Sequence, residues 1–172
     1  MTSTHVVESM SMLLGDERAS LASLQAARAL LEIPIARLAA TNRTAAHVVR
    51  LGELLRQMEL GQGQPQAFID ADTDFHIELA RATGNPVLGV LSETIVALLR
   101  KHRILLTEFE QELPAALTSH RAILAAVTAG RSRAAGDAME QHLAHVSEVL
   151  HRPASAKKAR SGAGSKRSSR KR

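Results

Sequence analysis

The sequence predicts an all-α fold, an antiparallel bundle of about six to seven helices, and three observations predict it. The apolar content is 45% while aromatics are only 2%, and the Leu- and Ala-rich remainder favours helix. Apolar residues recur at three- and four-residue spacing through most of residues 1–151, the period of a helix with one buried face. Gly61-Gln62-Gly63, Thr83-Gly84-Asn85-Pro86 and Gly130 separate the periodic stretches, and no period-two alternation bounded by hairpin turns occurs.

A short first helix is expected over Val6–Leu14, ending near Gly15. The second starts after Ser20 as N-cap and runs to about Ala40, with Leu24, Ala27, Leu31, Ile35 and Leu38 at helical spacing. Pro34 falls inside this stretch, so a kink or break is expected there. Thr44 caps a third helix through Leu60, with Val48, Leu51, Leu55 and Met58 on one stripe. A fourth spans about Gln66–Ala82 and stops at Thr83-Gly84-Asn85-Pro86. A fifth, long helix runs from about Pro86 to Glu110. Pro114 opens a sixth, closed by Gly130, and Ser132 caps a seventh that reaches about Leu150.

The overall charge of +5 does not describe the folded part. Residues 152–172 hold nine Lys or Arg and no acid; without them thirteen basic residues face seventeen acidic ones, a net of −4. The chain therefore divides into a mildly acidic helical domain, 1–151, and a basic tail, 152–172. The tail's Ser, Gly and Ala content and lack of apolar periodicity predict disorder. It is either a solvated terminus or a weak electrostatic contact for nucleic acid or another acidic partner. The chain has no Cys, which excludes disulfides and thiolate metal sites and suits a cytoplasmic location. No apolar run approaches the roughly 20 residues needed to span a membrane, and the N-terminus lacks the features of a signal peptide.

Eight His are present, and three fall on core-facing stripes. His76 follows Asp72 by four residues, so the two share one helix face with Ile69, Leu79 and Ala80. His120 shares a stripe with Ile123, Leu124 and Val127. His142 shares one with Met139, Leu143 and Val146. Polar groups buried this way need partners. A divalent cation would satisfy Asp72, His76, His120 and His142 together, and imidazole with carboxylate suits zinc, nickel, iron, manganese or copper. Periodicity alone leaves the alternative open that each His is a hydrogen-bonded core residue.

The stretch Asp72-Thr-Asp-Phe-His76 followed by Ala82-Thr-Gly-Asn-Pro86 resembles the D-x-x-F-H…A-T-G-N-P signature of the FCD domain, the C-terminal effector-binding half of FadR-type regulators in the GntR family. The segment His120–Arg131 is similar to its H-x-x-I-x-x-A-V-x-x-G motif, Ala134–Leu143 to its A…M-x-x-H-L segment, and Ala27-Arg28 with Glu32 to its R-x-x-L-E helix. Several motifs in the right order, over roughly Val6 to Leu150, make the resemblance specific. It implies a metal held by Asp72, His76, His120 and His142, with zinc or nickel foremost and manganese or iron as alternatives. It also implies a small carboxylate effector and a homodimer. One carboxylate and three neutral imidazoles leave a divalent site at +1, attractive to an anion. Arg28 is the foremost residue for clamping that carboxylate, its alternative being an ion pair with Glu32; Arg100 and Arg103 are further candidates. His145 is an alternative to His142.

Two departures stand out. Ser119 occupies a position where the family often has an acid, which implies altered bonding around the third ligand. The family's winged helix-turn-helix, which normally precedes this domain, has no counterpart here. DNA is therefore expected to be reached only through that missing module, or weakly through the tail.

A metal site can also activate water for hydrolysis or elimination, so a hydrolase or lyase is a competing reading. It needs a general base beside the metal, and Asp74, Glu78 and Glu140 all fall two residues from a ligand and point away. The expectation is therefore a sensor and not an enzyme. A ligand-free helical dimerisation module is the third reading.

Overall fold

The computed structural model describes residues 17–103 and 112–151. They form six helices: α1 Glu17–Asn42, α2 Ala45–Leu60, α3 Pro65–Ala82, α4 Pro86–Arg103, α5 Leu113–Thr128 and α6 Ser132–His151. The helix expected over Val6–Leu14, the end of the long helix beyond Arg103 and the basic tail lie outside the described residues.

Most boundaries follow local chemistry. Pro65, Pro86 and Pro114 sit in first turns, where a missing N–H costs nothing. The Thr44 side chain accepts from His47 N at the start of α2. Gly130, with φ of 69°, ends α5 in a Schellman arrangement: Gly130 N donates to Val127 O and Arg131 N to Ala126 O. The α3–α4 turn is built by its own motif. Thr83 Oγ1 donates to Ala80 O at 2.6 Å and accepts from Asn85 N, and Asn85 Oδ1 then accepts from Val87 N. Asn42 Nδ2 donates to Thr83 O, tying the end of α1 to this turn.

Three expectations change. Of the kink or break expected at Pro34, the break does not occur: α1 runs through it. The carbonyl that loses its partner is that of Leu30, and Leu30 and Pro34 both lie on the exposed side, where water can serve it. Ser20 lies inside α1 rather than capping it, because Glu17, Arg18 and Ala19 are already helical and are ordinary helix formers. Ser132 is the first residue of α6, and its hydroxyl donates to Arg37 O of α1.

Helix α1 is central: it packs against α3, α4, α5 and α6, while α2 packs on α3 and α5, α3 on α4, and α5 on α6. Leu24 near the start of α1 clusters with Leu98 and Leu99 near the end of α4, whereas Asn42 meets the turn that begins α4. Helices α1 and α4 are therefore antiparallel. The main core, including Leu51, Met58, Phe68, Phe75, Leu79, Ile123 and Met139, lies among α1, α2, α3, α5 and α6.

Candidate metal centre and ligand site

Beside this core lies a buried polar layer. Asp72 and His76 come from α3, His120 from α5 and His142 from α6, and each is at most 4% exposed. One potential ligand atom from each lies within 4.8 Å of the others. A small inward movement would bring that set around a single ion with bonds of about 2.1 Å. The rings pack edge-on or stacked, with His120 and His142 centroids 4.5 Å apart, and the Phe75 ring meets His120 edge-on at 5.0 Å. Phe75 itself belongs to the main core, so the layer and the core meet at this ring.

Two tautomers follow from the surroundings. His120 Nδ1 lies 2.8 Å from Ala116 O. A carbonyl only accepts, so Nδ1 carries the proton and Nε2 the lone pair. That Nε2 faces Asp72 Oδ1 at 3.0 Å, so two acceptors meet unless a cation or a proton lies between them. His76 Nδ1 is 2.8 Å from Glu32 Oε2, and His76 Nε2 is 2.7 Å from Arg28 Nη2. A guanidinium only donates, so Nε2 again holds the lone pair. Burial pulls the His76 pKa below its ordinary 6.5; Glu32 opposes this and Arg28 reinforces it. His76 is therefore neutral at pH 7, the state a metal ligand requires.

Arg28 and Glu32 come from successive turns of α1 and join through Arg28 Nε and Glu32 Oε1 at 2.7 Å, fully inside the protein. Burial alone would raise the Glu32 pKa, but Arg28 and His76 beside it more than offset this and bring it from 4.5 down to about 2. Arg28 Nη1 is buried and has no hydrogen-bond partner. Of the two sequence readings of Arg28, the ion pair with Glu32 is present. The contact of Glu32 with His76, a carboxylate behind a candidate ligand of the kind that orients metal-bound imidazoles, was missed. Its only sequence signal was an acid one turn after Arg28 on an apolar face.

The remaining candidates fall elsewhere. His145 is partly exposed, with Nε2 3.2 Å from Glu112 Oε2, and is not in the cluster. Arg100 and Arg103 lie on α4, but their side chains are outside the described residues. Asp74 and Glu140 are exposed, and Glu78 faces His47 at 3.9 Å, so none of the three adjoins the cluster. Ser119 is half-buried and its hydroxyl bonds back to Ala115 O. No described helix is long and apolar enough to cross a membrane.

Comparison with known proteins agrees with this architecture. A family model described as the FCD domain matches residues 23–145. The chain is 34% identical over 128 residues to the HTH-type transcriptional regulator LutR of Bacillus subtilis, covering 72% of this chain and 58% of that protein. It is 33% identical over 132 residues to the Uxu operon regulator of Haemophilus influenzae, covering 72% of this chain and 48% of that one. It thus spans about half the length of these curated relatives. Among solved structures, Streptococcus agalactiae GntR superposes with a TM-score of 0.64 at 28% identity, over 73% of this chain and 57% of that one. E. coli McbR/YncC, with a TM-score of 0.70 at 20% identity over 79% and 69% of the two chains, shares the all-helical fold. The named relatives are transcription regulators, not enzymes. This chain belongs to the FCD family, the effector-binding domain of GntR-type transcription regulators.

Proposed function

We propose that this domain senses a small organic acid through a divalent metal, zinc or nickel foremost, held by Asp72, His76, His120 and His142. The observation that carries this reading is the convergence of four buried ligand atoms from three helices beside a fully buried arginine. When bound, the ion supplies positive charge and open coordination positions for an anion. His120 and His76 present lone pairs on Nε2 because Ala116 O and Glu32 hold their Nδ1 sides. Arg28 Nη2 shares the His76 lone pair, and would be free of it where His76 held a metal. Arg28, kept on Glu32 through Nε, would then offer its other nitrogens to a carboxylate.

The output is a change in how α1 and α4 meet a second copy of the chain. Between Leu21 and Ala36 the only charged residues of α1 are Arg28 and Glu32, both buried. Its outer side carries Leu30, 79% exposed, then Pro34 and Leu38, and α4 adds the exposed Val87, Val90 and Leu91. A solvated helix face ordinarily carries charge. The row from Leu30 to Leu38 spans about 12 Å, and α4 beside it widens the apolar face. Leu30 lies between Arg28 and Glu32 in sequence, so the helix that grips the ligand also forms the dimer face. DNA would be reached through a separate reading module.

The reading is tested by elemental analysis and by thermal-shift screening with small carboxylic acids, on wild type and His120→Ala. Wild type is expected to hold metal and to be stabilised by an acid, and His120→Ala to lose both. An acid response that survives in His120→Ala would refute metal-mediated sensing.

A further inference from the structure

We infer that the Arg28–Glu32 pair sets the affinity of this site for its metal by acting on His76 in opposite directions: Glu32 strengthens metal binding and Arg28 weakens it. The inference rests on the metal reading above and adds two positioning residues that are not ligands themselves.

The two ring nitrogens of His76 meet the two halves of one ion pair. Glu32 Oε2 lies 2.8 Å from Nδ1, and Arg28 Nη2 lies 2.7 Å from Nε2. Nε2 is the nitrogen on the side of the other ligands, with Asp72 Oδ1 at 3.7 Å. A carboxylate that accepts the Nδ1 proton fixes the ring and makes the opposite nitrogen a better electron donor. A guanidinium stays charged and can only donate, so Arg28 takes up the lone pair that a metal needs. It also sets a positive charge beside the place of the cation.

His120 gives the contrast. Its Nδ1 is likewise held by an acceptor, Ala116 O at 2.8 Å. Its Nε2 faces Asp72 Oδ1 at 3.0 Å, an acceptor where His76 meets a donor.

Serving as the counter-ion of Glu32 does not require the contact with His76. Arg28 Nε alone reaches Glu32 Oε1 at 2.7 Å, and Nη2 extends the group past the carboxylate to the histidine. Both residues stand on α1, which packs on α3, and both are buried, so salt and water screen them little. Taking the donor from Nε2 gives the lone pair back, whereas taking the carboxylate from Nδ1 frees the ring to turn. The site is thereby held below the affinity its four ligands could reach, and its metal stays exchangeable. Whatever draws the guanidinium off His76 tightens the metal, and by linkage a bound metal makes Arg28 available in equal measure.

Zinc affinity of the full chain, measured at neutral pH by competition with a chromophoric chelator, tests this. Arg28→Met is expected to bind zinc at least roughly tenfold more tightly than wild type, because a charged hydrogen bond no longer competes. Glu32→Gln is expected to bind it about tenfold to a hundredfold more weakly. Arg28→Lys keeps a charge beside Glu32, and with it the fold, but has one nitrogen in place of the two that Arg28 uses. Its affinity is expected between those of wild type and Arg28→Met, and it carries the test if circular dichroism shows Arg28→Met unfolded. A residue that mattered only through packing would weaken zinc in every variant. Zinc bound no more tightly than in wild type by either folded Arg28 variant, or as tightly as in wild type by Glu32→Gln, would overturn the inference while leaving the metal reading intact. Wild type that takes up no zinc would remove the metal reading and this inference with it.

Discussion

Phe75 and His76 are neighbours on α3 and both are buried, but they belong to regions of opposite character. Phe75 faces the apolar core, where burial itself is the favourable term. His76 faces a layer holding Arg28, Glu32, Asp72, His120 and His142, where burial is unfavourable until each group finds a partner. The same helices build both regions, so the polar layer is not a packing defect at an edge. It occupies volume that apolar side chains could fill at lower cost, which is why it is read as functional. The core should respond to lost volume and ignore metal and pH, and the polar layer should do the reverse.

The sharpest break of this contrast is in the core. Phe68→Ala is expected to cost about 3–5 kcal/mol, measured by urea denaturation, with the same loss whether or not metal is present. Next comes the buried pair. Arg28→Met leaves the Glu32 carboxylate buried without its main partner and is expected to cost about 3 kcal/mol or more. The Arg28→Met/Glu32→Gln double variant should recover much of this, because no uncompensated charge remains. A double variant no more stable than the single one would show that Arg28 matters through volume and not charge.

Acid should separate the regions again. The folded-state pKa of His76 lies below 6.5, so the unfolded chain takes up that proton first and stability begins to fall as pH drops below about 6.5. Glu32 has its folded value at about 2 against 4.5, so its contribution is present above 4.5 and is lost as pH falls towards 2. Both losses have the same sign, and the Glu32 part is on the order of 3 kcal/mol. Thermal melts of chelator-treated protein from pH 8 to 3 should show this decline, and Arg28→Met/Glu32→Gln should flatten its lower part.

The smallest effect on stability is expected at the outer face. Leu30→Glu should change monomer stability by no more than about 0.5 kcal/mol, yet should shift light-scattering mass from dimer to monomer. A mass unchanged by Leu30→Glu would exclude this face as the dimer contact.

The contrast also separates what could be read in the sequence from what could not. The helices were legible because their ends are local: Pro65, Pro86 and Pro114 at starts, Gly84 and Gly130 at stops, and Thr83-Gly84-Asn85-Pro86 as a turn with its own hydrogen bonds. No break occurs at Pro34 because a proline's effect depends on whether the orphaned carbonyl can meet water, and the exposure of Leu30 is a tertiary property. Asp72, His76, His120 and His142 were visible as polar residues on apolar stripes and through the family motifs. The contact of Glu32 with His76 joins residues 44 apart in the chain, so no helical period reveals it.

The most direct test of the central claim is metal stoichiometry by elemental analysis, on wild type and on His120→Ala purified in the same way without added metal. Wild type is expected to hold about one zinc or nickel per chain and His120→Ala to lose most of it, with both proteins equally helical by circular dichroism. Wild type free of metal and unable to take up zinc or nickel on addition, or His120→Ala retaining a full equivalent, would contradict it.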